Sequence, residues 1–183
     1  MKYLLDDSGE CQTLKIGETT PDFVLQTEKG EQWRLSDQLG KVTGLLFYPQ
    51  NETLVCTRQM CSVRDNWTDY LETKAAVVGI SPGTAEEHRK FSQRHRLPLP
   101  LFADRGREIT KIYGQHWFFP IQITRAIVIV DAQGVIHHRK IILRAFRPTD
   151  REILASIYAA QTDALHNHFN HILKEAKEKT NSY

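Results

Sequence analysis

The sequence is poor in cysteine, and it contains no long apolar run. Three cysteines among 183 residues are too few for the disulfide framework of a small secreted protein, so we expect them to serve redox or catalytic chemistry. The chain does not open with a basic segment followed by an apolar one, and no apolar run approaches the ~18 residues of a membrane-spanning helix. We therefore predict a cytoplasmic protein without a membrane partner.

An excess of either charge is also lacking. The 24 lysines and arginines against 22 aspartates and glutamates leave a formal net charge of +2, which gives no reason to expect a nucleic-acid partner. The chain has no internal repeat and no low-complexity segment. Its length suits one domain with a substantial core.

What is present is a cysteine placed where a helix should begin. The apolar run 44–48 predicts a buried strand, Pro49 ends it, and a short polar loop leads to Cys56. Thr53 is a suitable N-terminal cap for the helix that follows. Free N–H groups and the helix dipole stabilise negative charge at such an end, which favours a thiolate. Cys56 is thus the candidate nucleophile, with a small buried core residue as the alternative.

Hydrophobic periodicity and turn residues predict an α/β protein. Turns at 29–30 and 131–134 predict two β-hairpins, and capping boxes predict helix starts at Thr84 and Thr149. This order predicts a mixed central sheet flanked by helices, with an N-terminal hairpin. The predicted strands span 23–26, 32–35, 42–48, 74–80, 101–103, 126–130 and 135–140, and the predicted helices span 56–71, 84–96, 108–113 and a long segment from 149.

An ordered set of motifs resembles the peroxiredoxins. The spacing Pro49-x-x-x-Thr53-x-x-Cys56 is similar to their active-site motif, and Cys61 resembles the resolving cysteine of the Q-type group, the bacterioferritin comigratory proteins. Arg125 stands just before an apolar run, where the family keeps an active-site arginine. Further matches in order are Gly17-x-x-x-Pro21-Asp22-Phe23, 35–37, 40–41, 78–81, His88, Phe91 and Asp104.

The resemblance covers roughly residues 14–160 and implies a thioredoxin-like fold. It divides the chain into an N-terminal arm, 1–13, a peroxiredoxin domain, 14–160, and a C-terminal helical extension, 161–183. One departure lies beside the nucleophile, because Leu54 and Val55 replace the usual Pro-Gly.

The resemblance also implies an activity, the reduction of hydrogen peroxide and organic hydroperoxides by a thiol. Cys56 would attack the peroxide, Cys61 would resolve the sulfenic acid as a disulfide, and thioredoxin or a similar dithiol would reduce that disulfide. Thr53 and Arg125 would hold and polarise the peroxide, while Pro49 would shield the thiolate from water. The resemblance implies no cofactor and no metal.

Formation of the Cys56–Cys61 bridge requires a change of shape. Five residues along an α-helix rise about 7.5 Å, so the two Cα atoms lie roughly 8–9 Å apart. A disulfide needs them within about 7 Å. The first turns of the helix must therefore unwind, which weak helix formers such as Thr57 and Ser62 make less costly.

Several alternatives stay open at this point. Thr53 and Pro49 could act only as cap and strand terminator, Arg125 could be a surface residue, and Cys61 could be inert. The whole protein could instead be a thioredoxin-like disulfide reductase, although it lacks Cys-x-x-Cys, or a non-enzymatic redox sensor or chaperone-like module. Of the remaining candidates, we expect Cys11 to be incidental, the aromatic residues 117–119 to be core or pocket wall, and a metal site at His166, His168 and His171 to be improbable.

The long C-terminal helix carries an apolar stripe beyond the end of the expected domain. The stripe comprises Ile153, Leu154, Ile157, Tyr158, Leu165, Phe169, Ile172, Leu173 and Ala176. An exposed stripe of this length would be costly, so it should bury against its own domain or against a second copy. We therefore predict a monomer or a homodimer.

Overall fold

The computed structural model describes residues 14–113, 117–118, 121–122 and 124–180. The strands are β1 (Val24–Gln26), β2 (Gln32–Arg34), β3 (Thr43–Phe47), β4 (Ala76–Ser81), β5 (Leu101–Ala103), β6 (Trp117–Phe118), β7 (Ile121–Gln122), β8 (Thr124–Val130) and β9 (Ile136–Leu143). The helices are α1 (Leu54–Asp65), α2 (Trp67–Glu72), α3 (Ala85–His95), α4 (Glu108–Ile112) and α5 (Asp150–Thr180), and a 3-10 turn spans Ser36–Gln38.

Five of these strands form one mixed sheet in the order β5-β4-β3-β8-β9. Strands β5, β4 and β3 are parallel, whereas β8 is antiparallel to β3 and β9 is antiparallel to β8. The pairs β1–β2 and β6–β7 form separate antiparallel ribbons. The predicted mixed sheet and N-terminal hairpin are therefore confirmed.

The core lies on both faces of the central sheet, and every residue of β3 is buried. One face packs against α1, α3 and α5, with Met60, Phe91 and Ile157 in one cluster. The other face packs against the β1–β2 hairpin and α4, with Leu25 and Ile109 in a second cluster. The fold thus has helices on one side and a hairpin with a short helix on the other.

Both predicted capping boxes are confirmed. Thr84 Oγ1 accepts the Glu87 N–H at 3.2 Å, and the Glu87 carboxylate accepts the Thr84 N–H at 2.7 Å. Thr149 and Glu152 make the same reciprocal pair at 3.2 and 2.9 Å. Each box satisfies backbone donors that the first helical turn leaves free, so it fixes where the helix begins.

The predicted continuous helix 56–71 is wrong at both ends. Helix α1 begins at Leu54, and it stops at Asp65 because Asn66 leaves the helical region, with φ −106° and ψ 20°. The Asn66 side-chain amide donates to the Ser62 carbonyl oxygen at 2.9 Å, beside the backbone N–H of Asn66, which donates to the same oxygen at 3.1 Å. Helix α2 then starts at Trp67.

Helix α5 continues without a break through the predicted boundary at 160/161. Its first half packs on the sheet, where Ile153, Ile157 and Ala160 are buried. In the second half Leu165 and Phe169 are 71% and 59% exposed, so the domain does not cover them. Among the described residues, no helix combines the length and apolar character of a membrane span. The predicted division at 13/14 and 160/161 stays a prediction, and residues 1–13 lie outside the described part.

Candidate active site

The candidate nucleophile lies where β3 passes into α1. The chain leaves the sheet at a buried Pro49, crosses a short loop and enters the helix at Thr53, which is its N-cap. Thr53 Oγ1 accepts the Cys56 N–H at 3.4 Å, so the predicted cap is confirmed. Cys56 occupies the first turn and has no exposed surface. The thiol therefore faces the positive end of the helix dipole inside the protein.

Arg125 approaches this thiol from the sheet. Because β8 runs antiparallel to β3, the start of β8 lies beside the end of β3, and Phe47 pairs with Ala126. Alternation along β8 then places Arg125 on the same face as Ile127, which is the face that α1 covers. Arg125 Nη2 donates to Cys56 Sγ at 3.6 Å, across 69 residues of sequence.

The guanidinium is held in place on several sides. Arg125 is only 1% exposed, Nη1 donates to Gln59 Oε1, and Nη2 also donates to the Arg144 carbonyl oxygen at 2.7 Å. Burial lowers the Arg125 pKa, and the charge of Cys56 acts in the opposite direction. Arginine nevertheless remains cationic at any physiological pH. Its Nε atom is buried without a hydrogen-bond partner among the described residues.

Gln59 is a site residue that the sequence reasoning missed. It is 2% exposed, on α1, and its amide oxygen binds Arg125. A signal for it existed, since Gln59 lies three residues after Cys56 and therefore on the same helix face. A buried glutamine needs a polar partner, and the arginine provides one.

Cys61 lies further along α1 in different surroundings. It is partly exposed, and both Cys56 and Cys61 are free thiols on one unbroken helix. The end of α1 and the following helix α2 are both fastened to α5, because Asp150 accepts hydrogen bonds from Ser62 Oγ of α1 and from Tyr70 Oη of α2, the latter at 2.8 Å. The helix that carries both thiols is thus anchored at its end.

Other candidates add nothing to this geometry. Among the described residues, no group of three or more His, Cys, Asp and Glu side chains is arranged to hold a metal ion. Cys11, Phe119 and the side chains of Trp117, Phe118, His168 and His171 lie outside the described residues. His166 is exposed on α5.

Comparison with known proteins gives a consistent result. A family model described as the AhpC/TSA family matches residues 16–139. The chain is 33% identical over 131 residues to "Peroxiredoxin Bcp" of Bacillus subtilis (strain 168), which covers 67% of this chain and 82% of that protein. It is 34% identical over 129 residues to "Peroxiredoxin Q, chloroplastic" of Triticum aestivum, which covers 70% of this chain but only 59% of the wheat protein.

The fold also matches a solved structure. The crystal structure of peroxidoxin BcpB from Mycobacterium tuberculosis superposes with a TM-score of 0.70 at 27% identity, covering 80% of this chain and 97% of that one. The thioredoxin-like fold that the motifs implied is therefore confirmed.

Proposed function

The chain belongs to the AhpC/TSA family, in its Q-type or Bcp group, and we propose that it is a thiol-dependent peroxidase acting on hydrogen peroxide and organic hydroperoxides. The single observation that carries this proposal is the 3.6 Å contact between Arg125 Nη2 and Cys56 Sγ. A buried thiol at a helix N-terminus, facing a guanidinium, is suited to exist as a thiolate and to stabilise charge on a departing oxygen.

In the first step, the Cys56 thiolate attacks one oxygen of the peroxide. The S–O bond forms as the O–O bond breaks, and the other oxygen leaves and takes a proton to become water or an alcohol. Arg125 has donors for the peroxide oxygens, including the Nε–H that lacks a partner among the described residues. The Thr53 hydroxyl still has its own hydrogen to donate, since it acts only as acceptor in the cap. Pro49 is buried beside the loop and keeps water from the thiolate.

In the second step, Cys61 attacks the sulfenic sulfur of Cys56. A disulfide forms, and the hydroxyl group leaves as water once it has been protonated. The first turns of α1 unwind to bring the two sulfurs together, since an intact helix holds their Cα atoms too far apart. An external dithiol such as thioredoxin then reduces the bridge by thiol–disulfide exchange.

The rival functions are not favoured. A disulfide reductase or a sensor would not need a guanidinium fixed on the nucleophile by two further hydrogen bonds, to Gln59 and to the Arg144 carbonyl. The cytoplasmic location stays a prediction, since the wheat relative is chloroplastic by name.

Steady-state peroxide consumption with thioredoxin, thioredoxin reductase and NADPH tests the function. Wild type should consume peroxide, Cys56→Ser should not, and Cys11→Ser should match wild type because we expect Cys11 to be incidental. Turnover by Cys56→Ser at the wild-type rate would contradict the assignment of the nucleophile. Absence of turnover in wild type, with the same reductants active on another peroxidase, would contradict the function.

For the oligomeric state, we propose a homodimer that buries the exposed half of the α5 stripe. The stripe offers four large apolar side chains that are 43–71% exposed, Leu165, Phe169, Ile172 and Leu173. Two copies of one helix face can cover each other around a two-fold axis, which removes this surface from water.

Light scattering decides this proposal. Wild type should be dimeric at micromolar concentration, and a variant with Leu165→Glu and Phe169→Glu should be monomeric. Asn167→Glu, an exposed position off the stripe, is the matched control and should stay dimeric. Truncation after Ala160 should also give a monomer. A monomeric wild type would end the dimer proposal.

A further inference from the structure

Three side chains outside the Cys56 pocket form a chain that ends on the second thiol. His95 Nδ1 lies 3.9 Å from Cys61 Sγ, and His95 Nε2 lies 3.2 Å from Glu52 Oε2. The three residues come from α1, from the end of α3 and from the loop before α1. Sequence separations of 34 and 43 residues mean that only the fold brings them together.

We propose that His95 is the general base for Cys61 in the resolving step and that Glu52 positions its ring. This inference rests on the proposed peroxidase function, and it assigns a catalytic role to a residue outside the peroxide pocket. An imidazole beside the thiol, oriented in turn by a carboxylate, is one of the arrangements that activate a cysteine nucleophile.

The hydrogen-bond partners of His95 determine which ring nitrogen carries the hydrogen. An ionised carboxylate can only accept, so the nitrogen that faces Glu52, Nε2, carries the hydrogen. The neutral ring then presents the lone pair of Nδ1 to the Cys61 thiol. His95 Nδ1 can therefore take the Cys61 proton as its sulfur attacks Cys56.

The electron and proton balance of the step is complete. The Cys61 sulfur donates a pair to the sulfenic sulfur of Cys56, the S–S bond forms, and the S–O bond breaks. The Cys61 sulfur is oxidised and the Cys56 sulfur is reduced, so no outside oxidant is needed. The proton held by His95 joins the departing hydroxide, which leaves as water.

The ring is held on its other sides as well. It packs edge-on against Phe91 with centroids 4.9 Å apart, and the Arg64 guanidinium donates to the His95 carbonyl oxygen at 2.7 Å. His95 is 20% exposed, so it can exchange protons with water between turnovers. Glu52 adopts φ 58°, a left-handed conformation that is unfavourable for a non-glycine residue. The loop adopts this unfavourable conformation at the residue whose carboxylate reaches the His95 ring.

Two arginines near the Cys61 site are each paired with a carboxylate. Arg94 Nη1 binds Glu52 Oε1 at 3.5 Å, and Arg64 pairs with Asp65 at 2.7 Å. The pKa of Arg64 is raised, first by the Asp65 hydrogen bond and also by the charge of Cys61. An arginine cannot accept the Cys61 proton at neutral pH, because its guanidinium has no acceptor. His95 is therefore the base within reach among the described residues.

Rapid-mixing experiments with the full chain test the proposal. Sulfenic acid is trapped with dimedone, and the disulfide is counted by mass spectrometry at each time. An ordinary cysteine thiol is about 3% ionised at pH 7, so a base can accelerate its attack by at most ~30-fold there. His95→Gln should leave the peroxide-dependent first phase unchanged and slow the resolving phase about 10- to 30-fold at pH 7. The two proteins should converge as the pH is raised, because an ordinary thiol then ionises without a base.

The controls separate the possible failures. Glu52→Gln should slow resolution about 3-fold with the same convergence at high pH, while His166→Gln, an exposed histidine on α5, should match wild type. Resolution by His95→Gln at the wild-type rate, or an equal slowing at every pH, would overturn the proposal. If His95→Gln does not fold, Glu52→Gln decides it by the same criterion. Absence of both a sulfenic acid and a disulfide in peroxide-treated wild type would instead refute the peroxidase function itself.

Discussion

The two thiols of α1 lie in different surroundings although one helix carries both. Cys56 is fully buried, and its neighbours Arg125 and Gln59 come from the sheet and from the same helix. Cys61 is partly exposed, and its neighbours are His95 and Glu52 at the surface. The first thiol has a fixed cation and the second has a base that can exchange protons with water.

This difference matches the two chemical tasks that we propose. Peroxide cleavage needs charge stabilisation in an enclosed pocket, because electrostatic effects are strongest where water is excluded. Resolution needs an accessible thiol on a segment that can unwind, because the second partner must reach the first and then meet an external reductant. The same helix serves both since its start is capped only by Thr53 whereas its end is anchored by Asp150.

Removal of each thiol in turn tests most directly whether Cys56 and Cys61 have different roles. Cys56→Ser should form no sulfenic acid at all. Cys61→Ser should consume one equivalent of peroxide and then stop, because its sulfenic acid has no internal partner. Mass spectrometry of peroxide-treated wild type should show a Cys56–Cys61 bridge. A Cys56–Cys11 bridge with Cys61 free would reverse the assignment of the second thiol.

A change at Arg125 should affect only the first thiol. Lowering a thiol pKa from 8.5 to 6.5 gives about 25-fold more thiolate at pH 7. Each thiolate is then about 8-fold less nucleophilic, so the net gain in rate is only ~3-fold. Arg125 must therefore act mainly by orientation and charge stabilisation. We expect Arg125→Ala to slow the first step about 100- to 1000-fold.

Stopped-flow measurements, with the pH raised until the rate of each variant levels off, check this expectation because differences in thiolate fraction are then removed. Arg125→Lys is the matched control, since it keeps the charge and loses the fork of donors. It should fall between alanine and wild type. Recovery of the wild-type rate by both variants at high pH would mean that Arg125 acts only by lowering the pKa of the thiol.

A third change tests the contrast between the free start and the anchored end of α1. Asp150 accepts hydrogen bonds from Ser62 Oγ, from Asn66 Nδ2 at 3.3 Å and from Tyr70 Oη at 2.8 Å. Asp150→Asn should cost about 2 kcal/mol in the free energy of unfolding, because donors that faced a carboxylate lose a charged acceptor. Urea unfolding measures it. Asp163→Asn, at an exposed pair with His137, should cost under about 0.5 kcal/mol, and equal losses would contradict the anchor.

The sequence predicts the first thiol's surroundings better than the second's. Pro49, Thr53 and Cys56 are local in sequence, and the period of β8 places Arg125 on their face, so short-range patterns and the resemblance locate them. The sequence does not reveal the break at Asn66, because helical periodicity continues through it and the Asn66 side chain bonds Asp150, a residue 84 positions away. The contacts of His95 and Glu52 depend on where α3 ends in space, which no local pattern records.

The smallest expected effect compares two histidines at opposite ends of α3. His88 is fully buried, where its ring nitrogens meet Ser81 Oγ at 2.9 Å and the Thr84 carbonyl oxygen at 2.6 Å. Burial lowers the His88 pKa, although the Thr84 hydrogen bond acts in the opposite direction. His95 is partly exposed and has a carboxylate partner. We expect the buried histidine to limit stability in acid.

The sign follows from which state binds the proton. An unfolded histidine titrates near pH 6.5, whereas folded His88 titrates lower, so below pH 6.5 the unfolded state binds more protons and stability falls. The contribution is fully present above pH 6.5 and is lost as the pH drops toward the folded pKa. One proton limits this loss to about 1.4 kcal/mol between pH 7.5 and pH 5.5. Urea unfolding at these two pH values measures it. His88→Asn should be less stable at pH 7.5 and show a weaker pH dependence, whereas His95→Gln should keep the wild-type slope; an unchanged slope in His88→Asn would mean that other groups govern acid stability.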